Sequence, residues 1–323
     1  MNQKNITTTN KLPQSNNNNI NNIDNINNII NIINTSPNFK GNAQINPEKN
    51  VVLINDLPGY GKVALAAMVP LLSRMGHYTF QLPTAIVSNT LDYGKFRIQD
   101  MTDYMRDTIK VWDELGFDPD CICTGFITSE EQASLIEDYI NSRSKDKERL
   151  IMVDPIMADC GKLYNGIGPE RVEAMKKLVS IADVMVPNMT EASFLTGIRP
   201  GQEKGTLDEI RELVDGLHAL SGKSVAITSV VESESGAHLV YGYDHVLDEY
   251  FQVQYEYLPV RVAGTGDIFS AIMVGELLAG RSLQDGVKKA VCALSKLIGE
   301  NQGHLQGYKG IVVERYWEVL EED

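Results

Sequence analysis

Cysteine and histidine are scarce in this chain of 323 residues. The sequence has four cysteines and five histidines, and neither set shows the spacing of a disulfide scaffold or of a zinc site. The cysteines are Cys121, Cys123, Cys160 and Cys292. This pattern favours reduced thiols in an intracellular protein over a cross-linked secreted domain.

Long apolar runs and N-terminal arginines are also missing. No stretch has the length and apolarity of a membrane span or a signal peptide, and the first 42 residues lack the arginines of a mitochondrial transit peptide. The net charge is −14, and residues 1–50 carry four lysines against two acids, so the rest is near −16. Because such a chain repels nucleic acid and anionic lipid, we expect a protein that binds neither nucleic acid nor a membrane. The unpaired cysteines and the lack of an export signal make a cytoplasmic location the expectation.

The first 42 residues differ in composition from the rest of the chain. Sixteen of them are asparagine, mixed mainly with isoleucine, serine and threonine. Such a tract has no period that could bury a core, so residues 1–42 are expected to be a disordered, passive extension. The alternative is a segment for self-association. Residues 43–323 are expected to form a single domain.

Beyond the extension, short β-rich runs alternate with longer helical runs, as in VVLIN followed by VALAAMVPLLSRMG. This alternation is typical of βαβ units and predicts an α/β fold with a central, mostly parallel sheet flanked by helices. Within this pattern, residues 99–115 are predicted to be helical, and Ser129 and Thr190 are predicted to cap helices. Residues 237–258 are predicted to form an antiparallel hairpin.

Polar residues stand at the ends of several predicted strands. They are Asn55, Asp56, Thr124, Asp154, Asn188, Thr228 and Ser229. In open α/β sheets, ligands bind outside the carboxyl ends of the parallel strands. We therefore expect these residues to converge on one functional rim.

The stretch INDLPGYGKVAL, residues 54–65, looks at first like a nucleotide-phosphate loop. Such a loop requires G-x-x-x-x-G-K-[S/T], and alignment on Lys62 puts Asp56 where the first glycine belongs. The same alignment puts Val63 where a hydroxyl must meet Mg²⁺. A carboxylate repels phosphates and valine cannot ligate a metal. A dinucleotide fingerprint fails as well, since its third glycine is missing.

A better anion site lies in RVAGTGDIFSAIMVG, residues 261–275. Gly264 and Gly266 allow a ligand to approach the backbone closely, at the positive end of a helix dipole. That arrangement suits the charge of a transferring phosphoryl group. Asp267, in the first helical turn, is placed to accept a hydroxyl proton. The alternative is an ordinary helix start at Thr265.

Three further segments add polar groups to the predicted rim. VDPIMAD places Asp154 and Asp159 five residues apart, and two carboxylates near a phosphate site suit Mg²⁺, often through waters. The segments VPNMTEAS and ITS contribute Asn188, Glu191, Thr228 and Ser229. Each segment alone is also typical of a turn or a helix start, but the four in this order indicate one site.

In this order, VDPIMAD…GKLY, VPNMTEASFLTG, ITS and GTGDIFSA resemble the ribokinase-like superfamily of small-molecule kinases. The stretches INDLPGYGKVAL, LPTAIVSNTLDYGKF and CTGFITSEEQ resemble, more narrowly, the pyridoxal and pyridoxamine kinases of vitamin B6 salvage. The resemblance runs from about residue 51 to the end. It implies a three-layer ribokinase-like fold and a single kinase domain over residues 43–323.

The resemblance implies that ATP phosphorylates the 5′-hydroxymethyl group of pyridoxal, pyridoxamine or pyridoxine, with Mg²⁺, often helped by K⁺, in a homodimer. Asp267 would be the general base, and the anion hole would comprise Gly264, Thr265 and Gly266. The ATP contacts would be Asp154, Tyr164, Asn188, Glu191, Thr228, Ser229 and Gly266. The Mg²⁺ partners would be Asp154, Asp159 and Glu191. The vitamer pocket would contain Asp56, Ser88, Asn89, Thr90, Tyr93, Phe126 and Asp267.

The chain departs from the family pattern in its pocket. SNTLDYG stands where many members have SNHTGY, and Phe126 stands where a tyrosine is common, so it can stack but cannot donate a hydrogen bond. Ala158 replaces a frequent glycine, and Cys160 is expected to be an inert loop thiol. Two alternatives stay open: a hydroxymethylpyrimidine kinase of thiamine synthesis, and a non-catalytic pyridoxal phosphate binding protein, against which the intact Asp267 argues.

Overall fold

A computed structural model describes residues 48–164, 167–301 and 308–321. The strands are β1 (Asn50–Pro58), β2 (Tyr78–Val87), β3 (Ile98–Asp100), β4 (Cys121–Thr124), β5 (Leu150–Val153), β6 (Ala158–Asp159), β7 (Lys162–Leu163), β8 (Val184–Met185), β9 (Lys204–Gly205), β10 (Ser224–Glu232), β11 (His238–Asp244) and β12 (Glu249–Tyr255). The predicted extension, residues 1–42, lies outside the described residues.

The α-helices that position the site follow these strands in the expected alternation. They are α1 (Leu65–Arg74), α2 (Thr102–Leu115), α3 (Glu130–Asn141), α4 (Glu170–Ser180), α5 (Met189–Thr196), α6 (Leu207–Ser221), α7 (Thr265–Leu278), α8 (Leu283–Asn301) and α9 (Glu318–Glu321). Within the described ranges, none of them has the length and apolarity needed to cross a membrane.

The main sheet has the strand order β12-β11-β10-β8-β5-β4-β1-β2-β3, and the short β9 pairs with β10 off this path. The inner pairs from β2 through β1, β4, β5 and β8 to β10 are parallel. Antiparallel pairing is confined to β3 at one edge and to the β10–β11–β12 meander at the other. The predicted α/β class and mostly parallel sheet are confirmed.

Two hydrophobic cores cover the two faces of this sheet. Successive residues of a strand point to opposite faces, so Val52 and Ile54 enter one core while Val51 and Leu53 enter the other. The first core packs against α2 to α6, and the second packs against α1, α7 and α8. The result is the expected three-layer arrangement.

The starts of two helices differ from the predictions. The helix predicted over residues 99–115 begins only at Thr102, because residues 98–100 pair with β2 as the edge strand β3. The cap of α5 is Asn188, whose side chain accepts the N–H of Glu191, so Thr190 lies inside the first turn. The cap at Ser129 is confirmed, as is the hairpin of β11 and β12.

The strand predicted to end at Thr228 and Ser229 continues to Glu232. Its register against β11 shifts between Ile227 and Val230, and Ser229 has a φ of 54°. These features define a β-bulge, which inserts an extra residue and redirects the side chains beside it. The polar pair therefore sits at an interruption in β10 rather than at its end.

His77 gives a pH-dependent contribution to stability. It is 5% exposed, and neither ring nitrogen has a hydrogen-bond partner within the described part of the chain. Burial lowers the pKa of His77, and nearby Lys49 lowers it further, while Asp120 opposes the shift. Because the unfolded chain then binds the proton more readily, folding stability is complete above the unfolded pKa, about 6.5, and falls below it.

We expect wild-type protein to lose more stability between pH 7.5 and pH 5.5 than a His77→Leu variant does. Urea unfolding at the two pH values measures this difference through the midpoint and slope of each transition. Equal pH dependence of the two proteins would show that the protonation of His77 is not coupled to folding.

Candidate active site

Asp267 lies buried in the first turn of α7, with 8% of its surface exposed. The side-chain amide of Asn55 donates to its Oδ1 over 3.1 Å, and the backbone N–H of Ala64 donates to the same carboxylate. Burial raises the pKa of Asp267 to about 6, although both hydrogen bonds favour the charged form. A carboxylate with such a pKa is suited to accept a proton near neutral pH.

The turn before Asp267 can be formed only by glycine. Gly264 caps α7 in the left-handed conformation, with φ at 83°. A Cβ at this position would lie 2.7 Å from the carbonyl oxygen of Lys62 and 2.9 Å from Cγ1 of Val63. The helix thus begins with a residue that has no side chain to cap its N–H groups, which leaves them for an anion. Thr265 is the first helical residue, not the cap.

Asp154 follows β5 and faces the same helix. It is 8% exposed, and its Oδ2 accepts a hydrogen bond of 2.8 Å from the hydroxyl of Ser270. A Cβ on Gly266 would point toward this oxygen at 3.9 Å. Burial raises the pKa of Asp154 to about 7, the bond from Ser270 opposes the shift, and the charge of Asp267 adds to it.

Asp56 is the third carboxylate of this cluster. Desolvation raises its pKa to about 7, and the charge of Asp267 adds to the shift. The structure therefore brings the predicted base together with one carboxylate from the stretch INDLPGYGK and one from VDPIMAD. Carboxyl groups with raised pKa values at a common location are typical of functional sites.

Glu191 holds the loop that carries Asp154 in place. Its Oε1 accepts the N–H groups of Met157 at 3.0 Å and Ala158 at 3.4 Å, and its Oε2 accepts that of Asn188 at 2.9 Å. Burial and the nearby Asp154 raise the pKa of Glu191, while these three donors oppose the shift. Both oxygens are thus engaged by the backbone, which indicates a positioning task. A direct role on Mg²⁺ stays a prediction.

The loop after Asp154 continues into the two-residue strands β6 and β7. Asp159 lies in β6, and its Oδ1 accepts the N–H of Cys160 over 2.8 Å. Burial raises the pKa of Tyr164, and the charges of Glu191 and Asp159 add to that shift, so its ring lies near these carboxylates. Burial and Asp159 also raise the pKa of the Cys160 thiol, which agrees with an inert loop cysteine.

The polar pair of β10 reaches the same rim. Thr228 forms a parallel bridge with Asn188, and its N–H donates to the carbonyl of Pro187 over 2.8 Å. Ser229 is exposed beside it. The structure therefore places Thr228 next to Asn188, and the contact of these residues with a nucleotide stays a prediction.

In the segment 88–93, most of the residues that are predicted to contact the vitamer form hydrogen bonds with other groups of the protein. The hydroxyl of Ser88 donates to Asn89, and the amide of Asn89 donates to the carbonyls of Thr90 and Lys95. Thr90 donates to the carbonyl of Tyr308 over 2.9 Å. An open concavity of about 570 Å³ is lined by Tyr60, Ser88, Asn89, Tyr93 and Lys95.

Phe126 belongs to a small core rather than to an open pocket wall. It is 7% exposed and clusters with Ala85 and Val87. Its carbonyl accepts the hydroxyl of Thr84 over 2.7 Å, and its N–H donates to Asn55. Little of the Phe126 ring is exposed for stacking on a ligand. The predicted contact between Phe126 and the vitamer ring therefore stays a prediction.

Three residues build this site in roles that the sequence did not predict: Asn55 was expected only at the rim, and Ala64 and Ser270 were not singled out. Asn55 and Ala64 bind Asp267, and Ser270 binds Asp154. Ser270 had a signal, because it is the one hydroxyl in the apolar stretch IFSAIMVG and stands one helical turn after Asp267. Nothing in the sequence indicates the role of Ala64, since its positive φ of 47° is not expected for alanine.

The carboxylates fit a magnesium ion that is shared with a nucleotide better than a metal held by protein alone. In the described ranges, no three His, Cys, Asp or Glu residues lie close enough together to hold a metal ion. Mg²⁺ commonly takes one or two carboxylates and completes its shell with waters and substrate phosphates. Asp154 and Asp159 could supply that number.

A three-layer α/β fold with a buried carboxylate at a glycine-capped helix start is the arrangement expected of ribokinase-like small-molecule kinases. The phosphomethylpyrimidine kinase family matches residues 67–312, which is more than half of this chain. The chain therefore belongs to that family.

Individual relatives agree with this assignment. A Bacteroides thetaiotaomicron protein, provisionally named phosphomethylpyrimidine kinase and crystallised with pyridoxal, is 33% identical with a TM-score of 0.80; the match covers 85% of this chain and 96% of that one. Pyridoxal kinase of Lactobacillus plantarum is 26% identical with a TM-score of 0.76, over 84% and 96%.

A curated sequence gives a similar result over a shorter span. Pyridoxal kinase of Arabidopsis thaliana is 32% identical over 160 residues, which is 48% of this chain and 49% of that protein. The chain thus aligns with about half the length of this relative. The resemblance to pyridoxal kinases that the motifs indicated is confirmed.

Proposed function

We propose that this protein transfers the γ-phosphoryl group of ATP to the 5′-hydroxymethyl group of a B6 vitamer. The observation that carries the proposal is Asp267, a buried carboxylate with a pKa raised to about 6, directly behind a helix start that only Gly264 can form. The crystallisation of the Bacteroides relative with pyridoxal supports the choice of ring.

The chain's own groups divide the work. Asp267 accepts the proton of the substrate hydroxyl, so that its oxygen can attack phosphorus. The N–H groups at the start of α7 stabilise the charge on the transferring phosphoryl oxygens. Bound Mg²⁺ neutralises phosphate charge, and Asp154 and Asp159 would hold it. Glu191 and Asn188 keep the loop of these two carboxylates in position.

Asp56 is assigned to the polar edge of the vitamer ring. With a pKa raised to about 7, its carboxyl group exists in both forms near neutral pH. It can therefore donate to a ring nitrogen or accept from a ring hydroxyl. The carboxyl group of Asp56 would repel a phosphate when it is charged, but it is compatible with a neutral or weakly basic heterocycle.

We propose roles for the remaining predicted site residues as well, with the segment 88–93 and Phe126 on the vitamer side and the others on the nucleotide side. Tyr93 and the hydroxyl-bearing neighbours would border the vitamer, while Tyr164, Thr228 and Ser229 would contact ATP. K⁺ and a homodimer are proposed from the family resemblance, and a cytoplasmic location is proposed from the composition of the chain.

A hydroxymethylpyrimidine kinase is the second candidate, because the matching family model describes phosphomethylpyrimidine kinases. That substrate also has a hydroxymethyl group on a nitrogen heterocycle, so the same base and anion site would serve. The two candidates differ in the ring that Asp56 and the segment 88–93 receive.

Steady-state turnover with MgATP on pyridoxal, pyridoxamine, pyridoxine and hydroxymethylpyrimidine tests the proposal. We expect a higher kcat/KM for at least one B6 vitamer than for the pyrimidine, with one phosphoryl group added at the hydroxymethyl oxygen. A preference for the pyrimidine would keep the chemistry and replace the substrate. Tight binding of pyridoxal phosphate without any turnover would contradict the kinase itself.

A further inference from the structure

We infer that Asn55 is a positioning residue for the reaction, because its buried side chain joins the base Asp267 to the backbone N–H groups of Asp56 and Phe126. The inference rests on the proposed function. Asn55 is 2% exposed in β1, and it makes contacts to three different parts of the site.

The contacts of Asn55 determine which way its amide group faces. Its Oδ1 accepts the N–H of Asp56 at 3.0 Å and the N–H of Phe126 at 2.9 Å. Two backbone donors can be satisfied only by the oxygen, so the nitrogen must face the other way. There it donates to Oδ1 of Asp267 at 3.1 Å and approaches the sulfur of Met68 at 3.5 Å.

Gly125 makes room for this arrangement. A Cβ on Gly125 would lie 2.6 to 2.8 Å from Nδ2, Cγ and Oδ1 of Asn55, which is closer than atoms can pack. The N–H of Gly125 also donates to the carbonyl of Ile54 over 2.8 Å, so the two strands are fixed at this level. Thus Gly125, in CTGF, and Asn55, in IND, form one unit.

These contacts give Asn55 a positioning role in addition to the structural role of a buried, hydrogen-bonded amide. It occupies Oδ1 of Asp267 with a donor that cannot be reoriented, which fixes the carboxylate relative to Asp56 and Phe126. The general base Asp267, the carboxylate of Asp56 and the backbone of Phe126 are therefore held in fixed positions relative to one another. A misplaced base loses rate even where substrate binding is unchanged.

A double-mutant cycle tests the inference. Asn55→Asp is nearly isosteric and keeps an acceptor for both backbone N–H groups, but it replaces the donor facing Asp267 with a carboxylate. We expect kcat to fall about 10²-fold. The KM values for ATP and vitamer should change little, because Asn55 is expected to contact neither ligand.

The second half of the cycle places Asn55→Asp in an Asp267→Asn background, where donor and acceptor are exchanged. We expect the substitution to cost no further activity there, and the free energy of unfolding of the double variant to exceed the additive value. A matched control is Gln132→Glu, another buried amide, which donates to the carbonyl of Thr84. It should lower stability without rescue by Asp267→Asn.

Equal costs of Asn55→Asp in the two backgrounds, or an effect confined to KM, would overturn the inference. The unfolding measurements need no substrate, so they separate it from the proposed function. Wild-type protein without turnover would refute the kinase, whereas additive unfolding free energies would refute the link between Asn55 and Asp267.

Discussion

Replacing Asp267 with asparagine is expected to lower kcat by about 10²–10⁴-fold, the range typical for loss of a general base. The amide has nearly the shape of the carboxylate but cannot take the substrate proton. Because Asn55 and the Ala64 N–H hold this side chain, the variant should fold and still bind ATP. Asp103→Asn, on the exposed surface of α2, is the matched control and should leave kcat unchanged.

The pH profile gives a second view of the same group. Asp267 is active only when deprotonated, and its pKa is raised to about 6 in the free protein. The value of kcat/KM should therefore fall as the pH drops through about 6, since protonation removes the base. Steady-state rates from pH 5 to 8 measure this limb. Rates in Asp267→Asn equal to those of wild type would assign the proton transfer to another group.

Replacing Gly264 with alanine should have the next largest effect. The substitution forces a Cβ to within 2.7 Å of the Lys62 carbonyl oxygen and 2.9 Å of Val63, so the start of α7 must move. Loss of one preorganised donor to a developing negative charge costs about 10²–10³-fold in kcat. We expect a loss of at least that size, with a lower midpoint of thermal unfolding.

Gly280→Ala separates backbone strain from displacement of the anion site. Gly280 follows α7 with φ at 80°, almost the value of Gly264, but its Cβ would meet nothing within 4 Å. Both variants carry the cost of a left-handed alanine, about 1–2 kcal/mol. Gly280→Ala should thus lose stability but retain kcat. Equal activities of the two variants would show that the start of α7 does not contact the reacting group.

The alternation of strands and helices was sufficient to predict the layers and the parallel centre of the sheet. Parallel strands are buried on both faces and read as continuous apolar runs, which distinguishes them from the amphipathic helices between them. The edge strand β3 escaped prediction because its three residues are all exposed and merge with the helix pattern that follows. The bulge in β10 depends on the left-handed backbone of Ser229, which is not expected for serine.

Part of the candidate site was accessible from the sequence for a physical reason. The carboxyl ends of parallel strands meet at one edge, so Asp56, Asp154 and Asn188 could be assigned to one rim before any coordinates. Partners that depend on tertiary contacts could not be assigned in this way. Asn55 and Asp267 are 212 residues apart, and no local sequence pattern indicates that the side-chain nitrogen of Asn55 donates to Oδ1 of Asp267.

The most direct test of the central claim is a competition in one tube. Pyridoxal and hydroxymethylpyrimidine are supplied at equal concentration with limiting MgATP, and ³¹P NMR identifies the phosphorylated products. The account predicts that pyridoxal 5′-phosphate predominates and that both products vanish with Asp267→Asn. Predominance of the phosphorylated pyrimidine, or unchanged products in the variant, would contradict it.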